Sequence, residues 1–253
     1  MRFAALGSGS AGNGLVVEAA GTRLLLDCGF TVEEAERRLA RLGLAAAELA
    51  GIVVTHEHGD HLDGALPLAR RHRLPVWMTH GTSRAARAEA AGVRVTLIDG
   101  HAAFGVGALS VQPFPVPHDA REPVQYVFSD GARRLGVLTD IGSPTRHVEA
   151  MLSGCDALVI ECNHDPGMLA AGPYPGWLKA RIAGPFGHLA NAAAAALVAA
   201  IDRSRLRHVL AAHLSERNNR PALARAALAA ALGCAPEWVG IAGQADGFGW
   251  REL

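Results

Sequence analysis

The sequence is poor in the features that anchor, export or cross-link a chain. Its longest apolar helix-like run, Ala192 to Ile201, is too short to span a bilayer. No basic, apolar, small-residue leader opens it, so the expected location is the cytoplasm, with no membrane partner. Four cysteines, Cys28, Cys155, Cys162 and Cys234, form no C-x-x-C pair, which argues against a disulfide framework or a redox motif. Neither sign of charge is in excess, with Lys+Arg 24 against Asp+Glu 24. A protein that grips long duplex DNA non-specifically usually carries a net basic domain or stripe. Low-complexity segments, internal repeats and linkers are also missing. Half the residues are hydrophobic, enough for a large core, and residues 1–253 are expected to form one domain.

What is present is an alternation of short β-rich runs with helical stretches. Strands are expected at Arg2 to Leu6, Leu15 to Glu18, Arg23 to Leu26, Ile52 to Thr55, Val76 to Met78, Val93 to Ile98 and Ala108 to Pro113. Tyr126 to Phe128 and Leu135 to Thr139 flank Asp130-Gly131 as a hairpin, and further strands are expected at Ala157 to Ile160 and His208 to Ala211. Thr31 with Glu34 predicts a capped helix ending near Gly43. Other helices are expected at Leu62 to Arg71, Ser83 to Ala90, Ala192 to Ile201 and Pro221 to Leu232, giving a mixed α/β class.

Against this pattern one segment stands out, Thr55-His56-Glu57-His58-Gly59-Asp60-His61, directly after the apolar run Ile52 to Val54. Imidazole and carboxylate groups packed this densely as H-x-H-x-D-H suit zinc and related first-row ions. Cysteine is absent from the cluster, so an open, water-bearing catalytic site is expected rather than a closed structural one. Asp27, Asp140 and His213 likewise each end an apolar run, and His118 follows Phe114-Pro115-Val116-Pro117. Strands finishing at one edge would gather these residues, since ligand sites commonly lie outside strand ends. The two prolines are expected to keep the segment before His118 from pairing as a central strand.

H-x-H-x-D-H, then a lone His, an Asp after a hairpin strand and a last His resembles the metallo-β-lactamase superfamily. The resemblance implies a four-layer αββα sandwich and two divalent metals, zinc first, with manganese or iron as alternatives. It implies one metal on His56, His58 and His118, a second on Asp60, His61 and His213, and Asp140 bridging both. Five segments narrow it: Leu6 to Asn13, Thr55 to His61, Glu161 to Asp165, Gly187 to Asn191 and His213 to Asn219. Together these are similar to the YycJ/WalJ-like group, related to the phosphodiesterase PhnP. In that group G-H-L-S-N is usual, whereas Ala190 here replaces the serine. The resemblance implies a phosphodiesterase or an exonuclease acting on DNA from the 5′ end, a hydroxide between the metals attacking the phosphodiester.

Asp60 is expected to orient that hydroxide, and Asp27 to accept from an imidazole rather than bind metal, or else to cap backbone amides. His188 and His164, the latter beside Asp165, are candidates for proton transfer, His188 with the plainer alternative of a loop histidine satisfied by backbone carbonyls. Asn191 is read as a helix N-cap near His188. Asn13, Asn218 and Asn219 are candidate substrate contacts, together with His188. Gly7-x-Gly9-x-x-Gly12 spells a dinucleotide fingerprint, but the strand pattern from Leu15 stands where that motif needs a helix. Arg70, Arg71 and Arg73, with Arg203, Arg205 and Arg207, read as solvated faces on helix ends, with nucleic-acid contact as the alternative. The neutral balance favours a nucleic-acid end or a small phosphodiester as partner. A thioester or lactam hydrolase is the alternative enzyme, and a non-catalytic binding module the alternative outside enzymes.

Overall fold

Alternation inside the strands decides the layers. Along β3 (Thr22–Leu26), Leu24 and Leu26 join one apolar cluster and Leu25 another, yet all three are buried. The same split separates Val159 from Leu158 and Ile160 in β11 (Ala157–Glu161), and Leu210 from Val209 and Ala211 in β12 (His208–Ala212). Strands apolar on both faces must be covered on both. The computed structural model, which describes residues 1–88 and 92–253, meets that need with two seven-stranded sheets packed face to face.

The first sheet runs in the order β14 (Phe248–Glu252), β1 (Arg2–Gly7), β2 (Gly14–Ala19), β3, β4 (Gly51–Val53), β5 (Val76–Thr79) and β6 (Val95–Ile98). The second runs β13 (Gly240–Ile241), β12, β11, β10 (Arg134–Leu138), β9 (Val124–Ser129), β8 (Leu109–Pro115) and β7 (Phe104–Val106). Phe3, Val17, Leu24 and Val53 of the first sheet meet Tyr126, Phe128, Val137 and Leu210 of the second in the central core. Outside the first sheet lie α1 (Val32–Arg41) and α3 (Ala65–His72), through Ala35, Leu39, Ala65 and Leu68. Outside the second lie α5 (Arg146–Leu152), α8 (Asn191–Ala200) and α9 (Pro221–Leu232), through Val148, Leu152, Leu197, Val198 and Leu228. The result is the expected αββα sandwich. Among the described residues no helix is long and apolar enough to cross a membrane.

Several local expectations change. The helix expected over Leu62 to Arg71 is broken into α2 (Gly59–Leu62) and α3, because Gly64 between them donates to Cys28 O and lies against the Phe30 backbone. The helix expected from Ser83 begins earlier, as α4 (His80–Ala85), since Thr79 accepts from Thr82 N and caps it. The end of that expectation, Glu89 and Ala90, lies outside the described residues. β8 continues through Pro115, which pairs with Val124 of β9. Its other neighbour, β7, reaches only to Val111, so the prolines face an unpaired side and their missing N–H groups cost no ladder bond. Pattern reading did not find α5, α6 (Pro166–Ala171), α7 (Gly176–Ile182), β7, β13 or β14. Of the arginine-rich segments, Arg71 pairs with Glu33 on the surface, and Arg205 reaches the buried carboxylate of Asp156.

Candidate metal centre

Parallel register brings the strand ends level. Leu26 of β3 pairs with Val53 of β4, which places Asp27 beside the start of the His56 loop. Leu138 of β10 pairs with Ile160 of β11, and Glu161 with Ala212 of β12, so Asp140, Glu161 and His213 leave the second sheet together. At these ends Asp27, Asp140 and His213 adopt left-handed backbone, with φ 59°, 53° and 50°. That conformation is costly for residues with a Cβ and persists where surrounding structure enforces it, commonly at functional sites. Close packing holds the loops to one another: a Cβ on Gly29 would lie 1.9 Å from Asp60 O. Buried Tyr126 donates to Val54 O at 2.7 Å, fixing the strand end that launches the histidine loop.

His56, His58 and His118 converge, and their ligand atoms lie within 4.8 Å of one another. His118 Nδ1 donates to Gly187 O at 3.0 Å, so the neutral ring presents a bare lone pair at Nε2, 3.2 Å from His58 Nδ1. Burial holds His118 below its usual pKa. His56 is held well below by burial and by His61, and its Nε2 is buried without a hydrogen-bond partner. A buried imidazole nitrogen without a partner, as at His56 Nε2, is satisfied by a cation held with its neighbours. The residues therefore fit a divalent metal here.

Asp60, His61 and His213 form a second group, and Asp140 adjoins both. His213 Nε2 lies 3.2 Å from Asp60 Oδ2, and His61 Nε2 lies 2.7 Å from Asp140 Oδ2. That Asp140 oxygen is buried and accepts no hydrogen bond of good geometry. Burial alone would lower the imidazole pKa values, but carboxylates outweigh it: Asp140 and Asp27 raise His61 well above its usual value, and Asp140, Asp60 and Glu161 raise His213 to about 9. Burial opposes ionisation of Asp60 and Asp140, yet the facing histidines hold both carboxyls below the usual range. Mixed imidazole and carboxylate donors suit first-row divalent ions. Asp27 accepts from His61 Nδ1 at 2.8 Å and from Thr55 N and Oγ1, which fixes the ring's orientation.

The cluster opens into a cavity of ≈ 360 Å³ lined in part by His58, Asp60, Asp140, His188 and His213. His188 Nδ1 lies 2.8 Å from Glu161 Oε1 and 3.1 Å from Asp140 Oδ1. Although burial disfavours its charge, Glu161 and Asp140 raise His188 to about 11. Glu161 is fully buried, and its other oxygen accepts from Ile141 N and Leu189 N. Pattern reading passed over Glu161, although it ends the run Ala157 to Ile160 as Asp140 ends Gly136 to Thr139. It also passed over Asp119, whose Oδ1 is 3.5 Å from His118 Nε2 and whose Oδ2 accepts from Arg181 Nε at 2.6 Å.

Four other candidates are not placed against the cavity. His164 is buried, with Nδ1 unpartnered and burial lowering its pKa, and its backbone forms a bridge with Ala190. Asn13 bonds Ser8, Gly9 and Asp60 O, with Nδ2 3.1 Å from His61 Nε2, so it braces the loop from behind. Asn218 is buried on Ser215, and Asn219 donates to Cys162 O and exchanges bonds with Asn191. Direct substrate contact does not fit these buried amides. Asn191 is not an N-cap: Ala190 occupies that place, has no capping side chain, and Asn191 is the first helical residue of α8. The serine usual in similar sequences would therefore sit where a hydroxyl caps the helix.

A beta-lactamase superfamily domain model matches residues 22–213. The exodeoxyribonuclease YycJ of Bacillus anthracis is 35% identical over 238 residues, covering 92% of this chain and 89% of that protein. The exodeoxyribonuclease WalJ of Streptococcus pneumoniae is 30% identical over 246 residues, covering 95% and 91%. Among solved structures, a diphosphatase from the PhnP family superposes with a TM-score of 0.70 at 20% identity, covering 100% of this chain and 98% of the other.

Proposed function

This chain belongs to the beta-lactamase superfamily, in the group of YycJ and WalJ, and is a metal-dependent hydrolase; we propose that it holds two divalent ions and hydrolyses phosphodiesters at a DNA 5′ end. One observation carries the reading: two groups of metal-ligating side chains meet at Asp140 beside an open cavity, with His188 braced by the buried Glu161 next to them. Zinc is the first choice of metal, with manganese and iron as alternatives. His56, His58 and His118 would hold one ion, Asp60, His61 and His213 the other, and Asp140 both. Such a pair supplies Lewis-acid polarisation of the phosphoryl oxygens and brings the pKa of bound water to about 7.

The chain's own groups do the rest. Asp60 faces the cavity from the second group, where its free oxygen can accept a hydrogen bond from the attacking water and aim it at phosphorus. Glu161 and Asp140 hold the proton of His188 on Nδ1, and among the described residues no group bonds its Nε2. That atom is suited to bind a phosphoryl oxygen and to give a proton to the departing oxygen. Glu161 also reaches His213 Nδ1 at 3.3 Å, so one buried carboxylate orients both rings. The neutral charge balance supports contact with a strand end or a small diester rather than with long duplex.

The test is turnover by metal-loaded protein of bis(p-nitrophenyl) phosphate, 5′-labelled single- and double-stranded DNA, and a thioester. Phosphodiester turnover that disappears in Asp60→Asn and His213→Ala is the expected result. Thioester turnover with inert phosphodiesters would overturn the reading. His188→Ala is expected to keep both ions and lower phosphodiester turnover about 10²- to 10⁴-fold; loss of metal in that variant would make His188 a ligand instead.

A further inference from the structure

The cavity has two unlike walls. One carries the histidines and carboxylates already described; the other is built by the chain between α6 and the end of α7, which contributes Tyr174, Leu178, Arg181 and Ile182. α7 has no fully buried residue, so its apolar side chains are not spent on the core. Trp177, one residue from the lining Leu178, is 69% exposed. Phe186 is 57% exposed and sits next to Gly187, which lines the same cavity. Gly187 in turn packs against the end of α7, where a Cβ would lie 2.1 Å from Arg181 O. Large aromatic rings left in water beside a site are unusual for a monomeric surface and mark binding faces. Arg181 is the only Arg or Lys among the described lining residues, and Asp119 anchors its Nε, which leaves the far end of the guanidinium for an anion.

We infer that this wall, from Tyr174 to Phe186, is a stacking platform for the unpaired bases next to the scissile phosphate, with Arg181 meeting a neighbouring phosphate. The inference rests on the phosphodiesterase reading and names the part of the substrate that reading leaves open. Apolar rings and a cation match the two repeating features of a single strand, flat base faces and charged phosphates. A duplex end would need its terminal bases to separate before they could stack here. An overall neutral protein gains strand affinity in this way without a basic stripe.

The experiment compares metal-loaded wild type, Trp177→Ala and Trp177→Phe on a short 5′-phosphorylated single-stranded oligodeoxynucleotide, on the same strand with abasic sites at its 5′ end, and on bis(p-nitrophenyl) phosphate. The Ala variant is expected to lower the kcat/KM ratio of oligonucleotide to small diester about 5- to 150-fold, through KM, with the Phe variant recovering most of it. On the abasic strand the wild type is expected to fall to the level of Trp177→Ala, which loses little more. An unchanged ratio, or equal losses on intact and abasic strands, would overturn the platform. If neither diester is turned over, the hydrolase reading fails separately, and fluorescence anisotropy of the same oligonucleotide decides the platform: equal binding by wild type and Trp177→Ala rejects it. A Trp177→Ala variant that changes oligomeric state but binds DNA normally would assign the face to a second copy of the chain and also reject it.

Discussion

The two halves of the cluster handle charge differently. Burial holds the rings of His56 and His118 below their usual pKa, His118 Nε2 lies 3.2 Å from His58 Nδ1, and the Nε2 of His56 has no partner. Asp60, His61, His213 and Asp140 compensate one another as ion pairs, with protons on the imidazoles. In the first group the buried Nε2 of His56 gains a favourable interaction only from a cation. The second can satisfy itself with protons, so a metal there must displace them. Asp140 adjoins both, which couples two groups of different proton dependence.

The largest expected effect removes that coupling: Asp140→Asn is predicted to abolish phosphodiester turnover and lower metal content, measured by elemental analysis beside the assay. Retained turnover would show that the halves work independently. Asp27→Asn weakens the support of His61 directly and that of His56 only through Thr55, and is predicted to cost about 10- to 100-fold in metal affinity at the carboxylate half with a smaller loss at the imidazole half, as read by isothermal titration. For pH the sign follows from the raised histidines. His213 has its folded pKa raised to about 9, so its contribution is complete below an unfolded value near 6.5 and is lost as pH rises through about 9. Chelator-treated protein is thus predicted to lose about 5 °C in Tm from pH 6.5 to 9, whereas zinc affinity rises over the same range as protons leave. A flat Tm profile would erase the distinction between the halves. The smallest effect lies outside the cluster. Ala190→Ser supplies the missing cap of α8 and is predicted to add about 1 kcal/mol of stability in a denaturant titration, with metal content unaltered.

The site was more legible in the sequence than the fold's margins were. Metal-binding types ending apolar runs, at His56, Asp140 and His213, can be seen without coordinates because a strand's end is marked by where its apolar run stops. Glu161 obeys the same rule and was missed because its neighbours Cys162 and Asn163 blur the end of the run. Asn13, Asn218 and Asn219 show the opposite limit. Proximity in sequence to the motif was right, but side-chain direction depends on turns such as the left-handed backbone at His213, which no residue pattern announces. α6 and α7 were invisible because neither has an apolar stripe facing the core; α6 buries Leu169 alone and α7 nothing. The layer order came from family resemblance, and burial on alternate faces of β3, β11 and β12 supplies its physical reason.

The most direct test of the account is a titration of metal-free protein with zinc or manganese in which phosphodiester turnover is followed against equivalents of metal bound. The account predicts that turnover stays low through the first equivalent and reaches its maximum at two per chain, on bis(p-nitrophenyl) phosphate and on a 5′-phosphorylated single strand alike. Full turnover at one equivalent, or two bound ions with no phosphodiester hydrolysis, would contradict it.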